Sequence, residues 1–288
     1  MAEHHHKHIA QEKAPFFRDL YEILKRVGHS YFDKNLQQTA CALTYRTMLA
    51  VVPFLAMIFA IARGFDVQQF LTDQLLAHFS SQKEFINYAV TFVDSYLKHT
   101  TDGVFIGVGI VALIVTLYFL INAVEQAFDV IWGCKERAFS RKFTDYTSIL
   151  FWLPILMIAI FGISVWIDNG IRNFFDMPNI SRIAKIILVT LNFVIEIAVF
   201  TILQKYMPNT NVKLRYALLS GIVCSISFEI LQAVFDLSIY VSSYNAVYGS
   251  FAYIPLFLMW VQFSWLICLV GAQLSAVAQS YFENKITK

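Results

Sequence analysis

Along this chain apolar residues run in long stretches, broken by short polar segments, and only two regions show the periodicity of a surface helix. About 20 mainly apolar residues suffice to cross the hydrocarbon core of a bilayer. Six windows meet that length: 41–63, 104–132, 148–168, 183–204, 214–240 and 251–279. Several exceed it, so tilted spans or protruding ends are expected. The two periodic regions lie outside these windows. In residues 14–36, Phe16, Phe17, Leu20, Tyr21, Leu24, Val27 and Tyr31 recur at steps that place them on one side of a helix. Such a helix suits the inner membrane face or the underside of a bundle. Residues 66–102 read as two short amphipathic helices split at Ser80-Ser81, with Ser81 and Glu84 at capping-box spacing.

The predicted fold is all-α: a polytopic membrane protein of six transmembrane helices with amphipathic helices at the N-terminus and on the extracytoplasmic side. Residues 1–40 form a cytoplasmic tail and amphipathic helix, 41–280 a single membrane domain carrying the hairpin 66–102, and 281–288 a cytoplasmic tail. Composition agrees, with 58% hydrophobic and only 15% charged residues. Orientation follows from the basic residues flanking the spans. Lys7, Lys13, Arg18, Lys25, Arg26 and Lys34 precede the first span. Lys135, Arg137, Arg141 and Lys142 separate spans two and three, and Lys205, Lys213 and Arg215 separate four and five. Both termini are therefore expected in the cytoplasm of a bacterial cell, with the spans in its inner membrane. The first apolar run begins too late for a secretory signal and is read as an uncleaved span.

The net charge of +2 implies no nucleic acid. Cys41, Cys134, Cys224 and Cys268 lie too far apart in sequence to suggest a zinc site or a disulfide framework. The HHHKH start is read as a solvated tail or a tag. No Gly-rich phosphate loop, HExxH or GxSxG occurs. The reading is thus of a protein that is not an enzyme and takes no cofactor or metal. Its expected partners are membrane lipids and envelope-assembly proteins, with self-association left open.

The candidate chemistry lies inside the spans. Asn122, Glu125 and Asp129 are three and four residues apart, a polar stripe about 10 Å long on a helix. A carboxylate at mid-helix costs roughly 2.5–3.5 kcal/mol on insertion scales, so the stripe is expected to face the bundle, water or the headgroups. Glu229, Gln232 and Asp236 repeat the spacing in span five; span four adds Glu196, span six Gln273 and span one Arg46. Together these residues predict a polar interior or substrate path. Depth suggests one pair: Arg46 about 9 Å and Glu125 about 10 Å from the same membrane face. Pro53, Pro154 and Pro255 fall in spans one, three and six, where kinks are expected.

The run ALTYRTMLAVVPFLAMIFA, the span-two end AFDVIWGCKER, Pro208 with Gly221 and Phe228-Glu229, and YNAVYGSFAYIPLFLMWVQFSWLICLVGAQLS carry a resemblance. Over residues 36–280 the chain resembles the YihY/BrkB family of bacterial inner-membrane proteins, whose closing Gly-Ala-Glu reads Gly271-Ala272-Gln273 here. The resemblance implies acids at Glu125 and Glu229. Members have been labelled a tRNA-processing ribonuclease (ribonuclease BN) or a virulence factor. No basic groove or metal-ligand cluster in this sequence supports the ribonuclease label. The expectation is a transporter or flippase of lipids or lipid-linked envelope precursors. A non-transporting scaffold for envelope biogenesis, docked through the hairpin, is the alternative.

Overall fold

A computed structural model describes residues 18–19, 21–64, 103–138, 141–142, 146, 178–241 and 253–286, and isolated helical positions between 69 and 95. Over 52–64, 103–113, 178–189, 238–241 and 253–254 it describes the backbone alone. The described residues form six helices and no strand: α1 (residues 21–33), α2 (Leu36–Gly64), α3 (Gly103–Trp132), α4 (Pro178–Tyr206), α5 (Leu214–Val241) and α6 (Tyr253–Ile286). Helices α2 to α6 coincide with five of the six apolar windows. The sixth, 148–168 with Pro154, lies outside the described residues, as do most of the hairpin 66–102 and residues 1–17, whereas the expected tail 281–288 is described as far as 286, as the end of α6. Among the described residues three helices are long and apolar enough to cross a membrane, over Ile114–Trp132, Leu214–Leu237 and Pro255–Lys285.

Helix α6 is the hub: α2 and α3 pair on one side of it, α4 and α5 on the other, and all four touch it. On the first side the core is Leu36, Ala40 and Leu43 of α2, Val124, Ala127, Phe128 and Ile131 of α3, and Cys268, Leu269 and Ala272 of α6. On the second side the seam is made of small residues. A Cβ on Gly271 would fall 2.1 Å from Cys224 Sγ, and one on Gly221 would fall 2.3 Å from Thr201 Oγ1. Close approach lets side chains bond backbone across helices, the contact that holds helices together where lipid removes the hydrophobic drive. Ser220 Oγ donates to Gly271 O at 2.7 Å, and Gln204 Nε2 donates to Cys268 O at 3.0 Å. The outside is apolar instead. On α5, Leu219, Ile222, Ile226, Ile230, Val234 and Leu237 are all exposed and recur at three- and four-residue steps.

Helix α1 packs on the bundle, one of the two placements its pattern allows: Ile23 and Val27 are buried, and Asp19 just before it accepts bonds from Tyr281 and Lys285 of α6. Tyr21, Leu24 and Phe32 remain exposed on its other side. Pro255 is no kink, because α6 starts at Tyr253 and a proline in the first turn lacks only an N–H that has no intrahelical partner there. Pro53 lies well inside α2, where a backbone bond is lost.

Candidate functional site

Helix α3 ends in a cap that sets the first polar cluster. Gly133 takes φ +65°, and Cys134 N donates to Asp129 O at 3.0 Å, the closure of a Schellman motif. The chain then turns back along the helix, bringing Cys134, Arg137, Lys142 and Tyr146 to the stripe Asn122, Glu125 and Asp129. Asp129 Oδ1 accepts from Asn209 N at 2.9 Å and from Cys134 Sγ at 3.1 Å. Burial and then the neighbouring Asp129 push the Cys134 thiol from its ordinary 9.0 up to about 11.

Glu125 is 0% exposed. Its Oε1 lies 3.9 Å from Arg137 Nε and 3.9 Å from Lys142 Nζ, and its Oε2 accepts from Tyr146 Oη. Lys142, itself buried, donates to Asn122 Oδ1 at 2.9 Å and to Glu136 at 3.0 Å. That bond holds the Glu136 carboxyl below its usual range. Arg137 also donates to the carbonyl of Tyr206 at 2.8 Å, so its charge sits on the C-terminal end of α4, where the helix dipole favours a cation. The cluster therefore ties the end of α3 to the α4–α5 turn. Two cations flank one fully buried carboxylate at ion-pair distance, while its Oε1 accepts no hydrogen bond.

This arrangement corrects the expected Arg46–Glu125 pair. Arg46 is exposed and lines a shallow groove with Lys34, Gln38 and Gln126, while Glu125 turns to Arg137 and Lys142. In sequence those two residues registered only as basic loop charges. The sole hint was their closeness to the stripe, Glu125 and Arg137 being twelve positions apart. Tyr118 also joins: it stands one turn before Asn122, with its ring 5.2 Å from that of Tyr146.

The second cluster lies across α6, between α4 and α5. Glu196 is half-buried and Glu229 is exposed, and the two carboxyls are near enough to interact electrostatically. Glu196 Oε1 is buried without a partner. Farther along α5, Trp260 Nε1 of α6 donates to Gln232 Oε1 at 3.1 Å, and Gln232 Nε2 reaches Asp236 at 3.5 Å. The structure thus brings Asn122, Glu125 and Asp129 together, and Glu196, Glu229, Gln232 and Asp236 together, with α6 between the sets. Gln273 belongs to neither; it is buried in α6 with Oε1 unpartnered. Among the described residues no group of three His, Cys, Asp or Glu is placed to hold a metal.

The family profile described as "Virulence factor BrkB" matches residues 27–288. A "UPF0761 membrane protein" of Pseudomonas aeruginosa is 30% identical over 272 residues, covering 90% of this chain and 63% of the relative. One of Alkalilimnicola ehrlichii is 33% identical over 253 residues, covering 85% of this chain and 55% of the relative. One of Haemophilus influenzae is 30% identical over 263 residues, covering 88% and 94%. The chain thus spans about 60% of the length of the first two relatives and nearly all of the third. No solved structure matches.

Proposed function

Because the chain belongs to the BrkB virulence-factor family of membrane proteins, whose relatives include the UPF0761 membrane proteins, we propose that it moves a lipid or lipid-linked envelope precursor across the bacterial inner membrane. The observation that carries this reading is the contact between Glu196 and Glu229 at mid-helix, one half-buried and one exposed. Two carboxyls side by side repel when both are charged. The pair and its neighbours offer polar groups to a headgroup moving between α4 and α5. Gln232 and Asp236 continue the polar strip along the same helix, and the apolar exposed stripe of α5 offers the tails a surface. The Glu125 cluster serves as a latch at the cytoplasmic end, holding α3 to the α4–α5 turn.

The test is transfer of a fluorescent phospholipid between leaflets of proteoliposomes. Glu196→Gln with Glu229→Gln is expected to lower it at least about tenfold; full transfer in the double variant would sink the proposal.

A second reading, a scaffold without transport, draws on the side-chain bonds of the α4–α5–α6 seam, each contributing ~0.6–2 kcal/mol to helix association. In that case removing residues 66–102 abolishes function in cells while the double glutamine variant stays active.

A further inference from the structure

The turn between α4 and α5, residues 207–213, is tied on two sides. Toward α3, Arg137 Nη2 donates to the carbonyls of Tyr206, Met207 and Pro208 at 2.8, 3.3 and 3.5 Å. Asn209 adds two bonds there, from its N to Asp129 Oδ1 at 2.9 Å and from its Nδ2 to Lys135 O at 2.8 Å. Toward α6, Lys213 N donates to Gln279 Oε1 at 2.9 Å, Gln279 Nε2 donates to Asn211 O at 3.2 Å, and Lys213 Nζ meets Glu283 at 2.8 Å. Pro208 and Val212 are buried, so the turn is a packed strap.

The helices on the two sides of α6 meet mainly through it: α4 and α5 pack on α6 and on each other, as do α2 and α3. The strap is where the end of α3 reaches the α4–α5 pair directly. The two interfaces with α6 differ in kind. On the α4–α5 side, Gly221 and Gly271 bring backbones close, and Ser220 and Gln204 bond the backbone of α6, so a slide there breaks bonds. On the α2–α3 side the described contact is the packing of side chains such as Leu43, Phe128 and Leu269, with one bond from Trp265 Nε1 to Thr47 Oγ1 at 2.9 Å. Asp19, ahead of α1, adds a tie at the exposed end of α6. Side-chain packing permits the small shear by which packed helices change position, and the contacts at their ends select between the positions.

We propose that the tie between α3 and residues 207–213 is a clasp that opens and closes, with α4, α5 and α6 moving as one body and α2 and α3 as the other. The tie from the strap to α6 stays made throughout. Only the purpose of the clasp rests on the transport reading, in which passage of a lipid needs helices that part and return; the opening itself does not.

Spin labels at Ala138→Cys and Thr210→Cys, both exposed positions, measure the gap in the full chain with its four native cysteines changed to serine, held in lipid nanodiscs. Two distances are expected, and Arg137→Ala should shift the balance about threefold or more toward the longer, as the loss of one hydrogen bond would give. A single distance, the same in both proteins, overturns the clasp whether or not lipid moves. Cross-linking then tells which tie opens. Lys135→Cys with Asn209→Cys, joined by a short bis-maleimide, should cut phospholipid transfer at least about tenfold against the same protein capped with N-ethylmaleimide. Lys213→Cys with Glu283→Cys, joined likewise, should leave transfer as it is in its own capped control. Equal loss from the two links, or no loss from the first, overturns the proposal. Two distances in a protein that moves no lipid even when capped would keep the clasp and remove the transport reading.

Discussion

The stripes on α3 and α5 carry polar residues at the same three-then-four spacing, yet Glu125 is wholly buried near Arg137 and Lys142 while Glu229 is exposed beside another acid. Spacing puts polar groups on one face of a helix and says nothing of what covers that face. On α3 the cover is the chain's own continuation, which Gly133 turns back over the helix. On α5 the neighbour is α4, with a second carboxyl at the point of contact. One acid is thereby compensated and structural; the other is left with chemistry to do.

The largest expected effect breaks the first half of this contrast. Glu125→Leu leaves Arg137 and Lys142 facing an apolar group, and removing one partner of a buried ion cluster costs roughly 3–5 kcal/mol. Unfolding in a detergent titration should shift by that much. A loss below ~1 kcal/mol would mean that Glu125 is no better compensated than Glu229. The next effect falls on the other side: Glu196→Gln with Glu229→Gln should alter the same unfolding by less than ~1 kcal/mol, because a half-exposed acid pair loses little besides its repulsion. The lipid-transfer loss expected of that double variant would then be separable from folding. A variant that unfolds as readily as Glu125→Leu would make both clusters structural.

How far the sequence reached is clear from particular residues. Five apolar windows match α2 to α6 to within a few residues, because an unbroken apolar run of that length has little choice but helix. The polar faces of α3 and α5 were legible from spacing alone. Partners were not. Arg137, Lys142 and Tyr146 reach Glu125 only because the cap at Gly133 reverses the chain, and Asn209 reaches Asp129 from 80 positions away. The depth argument that paired Arg46 with Glu125 fixed height in the membrane but not direction around the helix. Gly221 and Gly271 were readable as small residues, whereas the seam they form needed α4, α5 and α6 in register.

Cys134 gives a smaller and cleaner probe of the α3 cover. With the thiol raised to about 11, chiefly by burial and then by Asp129, its thiolate fraction at pH 8 is about a hundredfold below that of an ordinary cysteine. The sign follows: a group whose folded value is raised supports the fold fully below the unfolded value, here 9.0, and loses that support as pH climbs through about 11. Iodoacetamide should therefore label Cys134 slowly at pH 8, in a variant with the other three cysteines changed to serine. Labelling should speed up in Asp129→Asn or when Glu125→Leu loosens the cover. Fast labelling in the otherwise native chain would mean that Cys134 is not held against Asp129 at the end of α3.

Arg46→Ala has the smallest expected effect, and that is its use. Arg46 is exposed on the rim of the groove it shares with Leu43, so no buried partner is stranded when it goes. Exposed charges of this kind contribute about 0–1 kcal/mol, less in salt. Stability should stay within ~0.5 kcal/mol, and a Glu125→Leu, Arg46→Ala double variant should match Glu125→Leu alone, since independent sites add. A coupling above ~1 kcal/mol between the two would restore the pair that depth in the membrane suggested, and would make the Arg137–Lys142 cover the lesser of Glu125's attachments.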